Sequence, residues 1–159
     1  MSSAGAEDRA SLRDLAERYA AGVDRQDSEL FVNAFHPEGC LLVFNPSESA
    51  EPTGTRRGRA ELADVITRIA RHDRTFHLIG NSRYAVDGDH ATGEVYCVAH
   101  HLDLPEGPAA SATDHIMYIR YLDQYRKGDD GAWRILERRV LVDWTENRHV
   151  DARMRPASA

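Results

Sequence analysis

Thr75–Val86, TFHLIGNSRYAV, is where the spacing of apolar residues along this chain changes. Here β-branched and aromatic residues alternate with polar ones at a period of two, the signature of a strand with one face buried. Thr75, His77, Ile79 and Asn81 fall on one face, and Phe76, Leu78, Tyr84 and Val86 on the other, with an irregularity near Gly80. The same composition continues through Ala91–Leu104, Ala112–Arg126 and Trp133–Trp144, joined by DGD, PEGPAAS and GDDG, which are turn and loop compositions. Four antiparallel strands are predicted.

Upstream of Thr75 the period is helical. Leu12, Leu15, Ala16, Tyr19, Ala20 and Val23 lie at i, i+3, i+4, i+7 spacing and predict a helix from about Glu7 to Val23. Asp27 or Ser28 caps a second, shorter helix that turns Leu30, Phe31, Ala34 and Phe35 inward before Pro37 and Gly39 stop it. Cys40–Phe44 reads as a short buried strand and Asn45–Gly58 as a loop, because the latter is rich in Pro, Ser, Glu and Gly. A third helix over Arg59–Arg71 carries Leu62, Val65, Ile66, Ile69 and Ala70 as one stripe. Helices first and strands last predict an α+β domain whose sheet curls around the helices. The last residues, about 149–159, read as a tail or a lid.

The chain has 159 residues, of which 42% are hydrophobic, enough for one domain and one core. Twenty basic residues against 26 acidic ones give a net charge of −6, which disfavours nucleic acid and anionic membranes as partners. Cys40 and Cys97 form no CxxC motif, so no disulfide framework or zinc cluster is expected, and a reducing, cytoplasmic setting is the default. No apolar run is long enough to span a bilayer.

Eight histidines are the compositional oddity. His77 is central on its strand, and Asp24, at the edge of the first helix's apolar stripe, is the candidate carboxylate to orient its ring. Tyr19 lies at the centre of that stripe. In the last strand, parity groups Arg138 with Leu136, Val140, Val142 and Trp144, where it is the only charge. Such an arginine needs an anionic partner, either a side chain or a ligand group. His100 and His101 point to opposite faces and cannot chelate one metal together. No HExxH, GxSxG, GxGxxG or GxxxxGK motif occurs, and no cofactor or metal is expected.

YAAGVD (Tyr19–Asp24), RTFHLIGN around His77, the YLDQYRKGDDGAWRI hairpin and the terminal ERR together resemble the SnoaL-like branch of the nuclear transport factor 2 superfamily. The nearest look-alikes are the scytalone dehydratase, hexachlorocyclohexane dehydrochlorinase and bile acid dehydratase group. The resemblance runs from about Ser11 to Trp144 and implies a cone: a strongly bent, mostly antiparallel sheet around three helices, with an apolar cavity at its open end. It implies that Asp24 and His77 are the catalytic dyad, that Arg138 steadies the developing anion, and that Tyr19 donates a hydrogen bond. Phe44, His101, His115, Val142 and Trp144 are candidate substrate-lining residues. The expected function is a cofactor-independent lyase, a dehydratase or related elimination, acting on a hydrophobic small molecule. A ketosteroid-isomerase-like isomerase or polyketide cyclase would use the same base, and a non-catalytic ligand-binding or assembly module would use the same residues only as scaffold. The convex face of an open sheet predicts a homo-oligomer, and the resemblance implies a dimer or trimer.

Overall fold

The computed structural model describes residues 3–105 and 111–151. The expected tail or lid, from residue 152 on, and residues 106–110 of the loop before Ala112 lie outside the described residues. In chain order the elements are α1 (Ser3–Asp24), α2 (Ser28–Asn33), β1 (Phe35–Phe44), β2 (Gly54–Arg57), α3 (Gly58–Ile69), β3 (Arg74–Asp87), β4 (His90–Asp103), β5 (Ala112–Lys127) and β6 (Trp133–Val150). One six-stranded sheet has the order β2-β1-β6-β5-β4-β3. Every pair is antiparallel except β1 with β6, so the sheet is mixed.

The apolar stripe of α1 lies in the trough of this curved, open sheet. Leu12, Leu15, Ala16, Tyr19 and Val23 are buried against Val95, Cys97, Ala99, Ile119, Tyr121, Val140 and Val142. Asp27 caps α2 by accepting from the Leu30 amide at 2.9 Å, and Gly22 lets that turn close on α1, since a Cβ there would meet the Phe31 amide nitrogen at 2.7 Å. Polar clamps fix the helix further along. Asp8 accepts from Lys127 Nζ at 2.8 Å and from Trp133 Nε1 at 2.7 Å. Arg13 donates to the carbonyls of Gly80 at 2.6 Å and Ile79 at 3.1 Å, which are freed where β3 bulges.

Bulges correct three parts of the simple alternation. Ile79 pairs with Cys97 and Ser82 with Val95, so one residue is extra in β3 and the faces exchange at Gly80 and Asn81. Tyr84 and Val86 therefore join His77 on the inner face. In β6, Tyr118 pairs with Trp144 but Ile119 with Val142, which makes Asp143 the extra residue and sends Trp144 to the outer face. Trp144 stacks there on Tyr118 with ring centroids 4.4 Å apart and is 59% exposed. Leu136 is the extra residue of a second bulge, so Ile135 takes the core position. A two-fold alternation carries no mark of an inserted residue, which is why the sequence places Leu136 and Trp144 beside Arg138.

Two further differences lie at the sheet edge. β1 begins at Phe35, through Pro37 and Gly39, because an irregularity between Phe35 and Cys40 takes those residues out of the ladder. β2, Gly54–Arg57, lies inside the expected loop; as a four-residue edge strand with one polar face it has no hydrophobic pattern to betray it. β6 extends past Trp144 to Val150, pairing with the first residues of β5.

Candidate active site

Asp24 is the last residue of α1, where the helix dipole is unfavourable to a carboxylate. Three donors on β3 hold it there. The His77 ring nitrogen Nδ1 is 2.7 Å from Asp24 Oδ1, the His77 amide donates to Oδ2 at 2.8 Å, and Thr75 Oγ1 donates to Oδ1 at 2.9 Å. Burial alone would push the Asp24 carboxyl up, but the hydrogen bonds from the His77 ring and amide and from Thr75 outweigh it and hold the carboxyl below its ordinary range. A carboxylate can only accept, so Nδ1 carries the proton and Nε2 of the neutral ring presents a lone pair. Among the described residues, that Nε2 has no hydrogen-bond partner.

Around His77 the inner face is imidazole-rich. The ring of His101 stands edge-on to His77 with centroids 5.7 Å apart, and it also contacts His72 at 5.0 Å and His115 at 6.2 Å. His101 is buried, and its Nδ1 lies 3.3 Å from the His115 carbonyl, which accepts its proton. Burial, with His77 and His72 nearby, pushes its pKa down to about 4, so His101 is neutral and its Nε2 can only accept. His115 is fixed by Asn147 Oδ1 at 2.7 Å, and His72 by Asp103 Oδ1 at 2.9 Å.

Arg138 and Tyr19, expected beside this dyad, form a second centre deeper in the core. Arg138 Nε and Nη2 donate to the two oxygens of Asp123 at 2.9 and 2.6 Å, and both side chains are fully buried. The Tyr125 hydroxyl donates to the same carboxylate at 2.6 Å. The guanidinium lies between the rings of Tyr19 and Tyr121, 4.2 Å from each centroid. Gly93 makes room for the surrounding rings, since a Cβ there would lie 2.7 Å from Tyr84 and 2.9 Å from Tyr125. Arg138 thus faces Asp123 and Tyr19 covers it, while its Nη1 is buried with no hydrogen-bond partner among the described residues. Burial pushes the Tyr19 hydroxyl up to about 12 and the Cys97 thiol, between the two centres, up to about 11, so both stay protonated.

Of the remaining candidates, Val142 packs in the core. Phe44 shares the outward parity of its ladder partner Leu141, and the Arg139 guanidinium covers its ring at 4.7 Å. Trp144 is outside as well. Asp123 carries a sequence signal of its own: Tyr121, Asp123 and Tyr125 alternate in MYIRYLDQYRK and place on one face the anion that Arg138 requires. The pairing of His72 with Asp103 has no local sequence signal, because it joins a helix–strand junction to the end of β4. A groove of about 600 Å³ lined by Val32, Phe35, His36, Arg59, Leu62 and Arg134 opens elsewhere and includes neither Asp24 nor His77. Among the described residues, no group of three or more His, Cys, Asp or Glu is placed to hold a metal ion, and no helix is long and apolar enough to cross a membrane.

Helices lining an open, bulged sheet with a carboxylate-oriented imidazole in its trough define a protein of the nuclear transport factor 2-like, cystatin-like fold. The chain belongs to the SnoaL-like domain family, which matches residues 4–139. Among solved structures, a protein of unknown function from Mycobacterium tuberculosis is 28% identical, with 90% of this chain and 77% of that one covered and a TM-score of 0.71. A candidate scytalone dehydratase from Novosphingobium aromaticivorans is 21% identical, with 100% and 99% covered and a TM-score of 0.76. A hexachlorocyclohexane dehydrochlorinase is 16% identical, with 96% of each chain covered and a TM-score of 0.74. The curated proteins include no match to the chain.

Proposed function

We propose that this protein is a cofactor-independent lyase that removes a carbon-bound proton from a hydrophobic small molecule, with His77 as the base. The observation that carries the reading is the Asp24–His77 contact at 2.7 Å, with both carboxylate oxygens engaged. Asp24 fixes the tautomer in which Nε2 is basic and stabilises the imidazolium formed on proton transfer. A carbonyl or a good leaving group on the ligand supplies the C–H acidity, so no electron sink is needed. Likeness to a candidate dehydratase and to a dehydrochlorinase supports elimination over isomerisation or ring closure, which would use the same base. Arg138 and Tyr19 serve this site by holding the core in register, in place of the direct anion contact that the family resemblance implies.

The β-hydroxy ketone 3-hydroxy-1-tetralone tests the reading. In D2O the wild type should exchange the C2 hydrogens and release 1-naphthol, and His77→Gln should lose about 10²- to 10⁴-fold of both rates. A folded His77→Gln protein with wild-type rates would refute it. The second reading, a non-catalytic binding module, is favoured by the Arg138–Asp123 pair, whose two side chains are fully buried against each other; it predicts ligand-induced thermal stabilisation without turnover. Exposed Phe76, Leu78 and Trp144 on the outer face support a homo-oligomer formed through that face, which light scattering on Trp144→Ser would test.

A further inference from the structure

His72 with Asp103, His77 with Asp24 and His100 with Asp114 are Asp–His pairs among the described residues of this sheet, and they differ in where they face. His100 Nδ1 lies 2.7 Å from Asp114 on the outer face. His77 with Asp24 and His72 with Asp103 both lie on the inner face, and both rings contact the same neutral His101. His72 repeats the construction of His77: Nδ1 is held by a carboxylate at 2.9 Å, so Nε2 is the working nitrogen. The ring is mostly buried, while Asp103 is half exposed and in contact with solvent as a route for protons. Asp103 in turn is placed by the end of β4, where Leu104 donates its amide to Asp73 at 2.7 Å and Asp73 donates its own to Leu102 at 3.0 Å.

We infer that His72, oriented by Asp103, is the second acid–base group of this site and protonates the leaving oxygen while His77 takes the carbon-bound proton. This rests on the reading of His77 as the base. In the reacting form His77 is neutral and His72 carries a proton on Nε2. The C–H bond breaks, its proton passes to His77 Nε2, and its electron pair becomes the new C=C bond. The adjacent C–O bond breaks, and the oxygen leaves as water with the proton from His72. Loss of a proton from His77 to solvent and gain of one by His72 restore the starting form. His101 cannot replace His72 as the acid, because burial keeps it neutral with its one proton committed to the His115 carbonyl. Two imidazoles on one face fit a hydroxyl leaving group, which needs a proton; chloride would not.

With 3-hydroxy-1-tetralone in D2O, exchange at C2 reports the base and release of 1-naphthol reports departure of the oxygen. His72→Gln should keep C2 exchange within about threefold of wild type and lose at least about 10²-fold in 1-naphthol release, the low end of general-acid effects. Asp103→Asn should lose less in the same direction, and His100→Gln should change neither rate. Thermal melts establish that each variant is folded. If His72→Gln releases 1-naphthol at the wild-type rate, or loses exchange and release equally, the inference falls while His77 stands as the base. A wild type that exchanges C2 without releasing 1-naphthol also overturns the role of His72 alone. A wild type that does neither overturns the base and this inference together.

Discussion

Asp123 and Asp24 each meet a cationic or basic partner in the trough of this sheet, with opposite results. Asp123 and Arg138 are sealed from solvent: two guanidinium nitrogens and a tyrosine hydroxyl use the carboxylate, two aromatic rings close over the charge, and the third nitrogen, Nη1, is buried with no hydrogen-bond partner among the described residues. Asp24 is equally well satisfied, yet its partner is an imidazole with a second nitrogen, and Asp24 uses only the first. A guanidinium sealed this way cannot lose its proton and can only hold structure, whereas an oriented imidazole can take a proton and release it. The difference between a scaffold and a site therefore lies in whether the partner's remaining nitrogen can take and release a proton, not in the strength of the pair.

Removing one member of the sealed pair gives the largest expected effect. Arg138→Ala leaves Asp123 buried without its cation and should cost about 3–5 kcal/mol in urea denaturation. Replacing both, Arg138→Met with Asp123→Leu, should recover most of that loss, because the desolvation penalty disappears along with the attraction. If the double variant is as unstable as the single one, the pair does more than hold structure and the contrast with Asp24 breaks.

The sequence made half of this contrast legible. Arg138 stands out as the only charge on its face, and its need for an anion follows from chemistry alone. Its side-chain partner is legible in principle from the Tyr121, Asp123, Tyr125 alternation, which places a carboxylate between two aromatic residues of one face. Asp24 and His77 were readable because each lies at a definite point of a regular element. Trp144, Phe44 and the turn at Gly80 were not, since a bulge or a parallel neighbour changes which face a residue takes without changing local composition. His72 and Asp103 come from segments 31 residues apart and meet only through the β3–β4 pairing.

A pH titration separates the two regions next. The folded protein binds the His101 proton more weakly than the unfolded chain, with the pKa lowered from 6.5 to about 4. Stability from this group is therefore full above about pH 6.5, falls as the pH drops to about 4 and levels off below, by up to about 3 kcal/mol. Urea denaturation at pH 7 and pH 4.5 should show the loss, and His101→Gln should flatten it. Arg138 contributes nothing to that slope, so an equal flattening in the Arg138→Met, Asp123→Leu protein would contradict the division.

Tyr125→Phe should cost about 2 kcal/mol at neutral pH, the usual worth of a hydrogen bond to a charged group, because Asp123 loses one of its three donors. Elimination of 3-hydroxy-1-tetralone by this variant should stay near the wild-type rate at temperatures where it is folded. A rate loss there, without unfolding, would tie the core centre to the chemistry and narrow the distance between the two pairs.

Asp24→Asn should have the smallest effect on stability, about 1 kcal/mol, and it sharpens the comparison furthest. An asparagine can still fill the space, but its amide can donate to His77 Nδ1, which moves the ring proton to Nε2 and removes the lone pair that the reaction needs. C2 exchange should then fall by about 10²- to 10⁴-fold while the melting curve barely moves. The lowered carboxyl of Asp24 gives its own check: the wild type gains stability from it above the ordinary carboxylate range and loses that gain as the pH falls through the depressed value, whereas Asp24→Asn should lack this acid-side loss. A variant that keeps its exchange rate would mean that Asp24 only anchors β3 to α1 and that both pairs are scaffold.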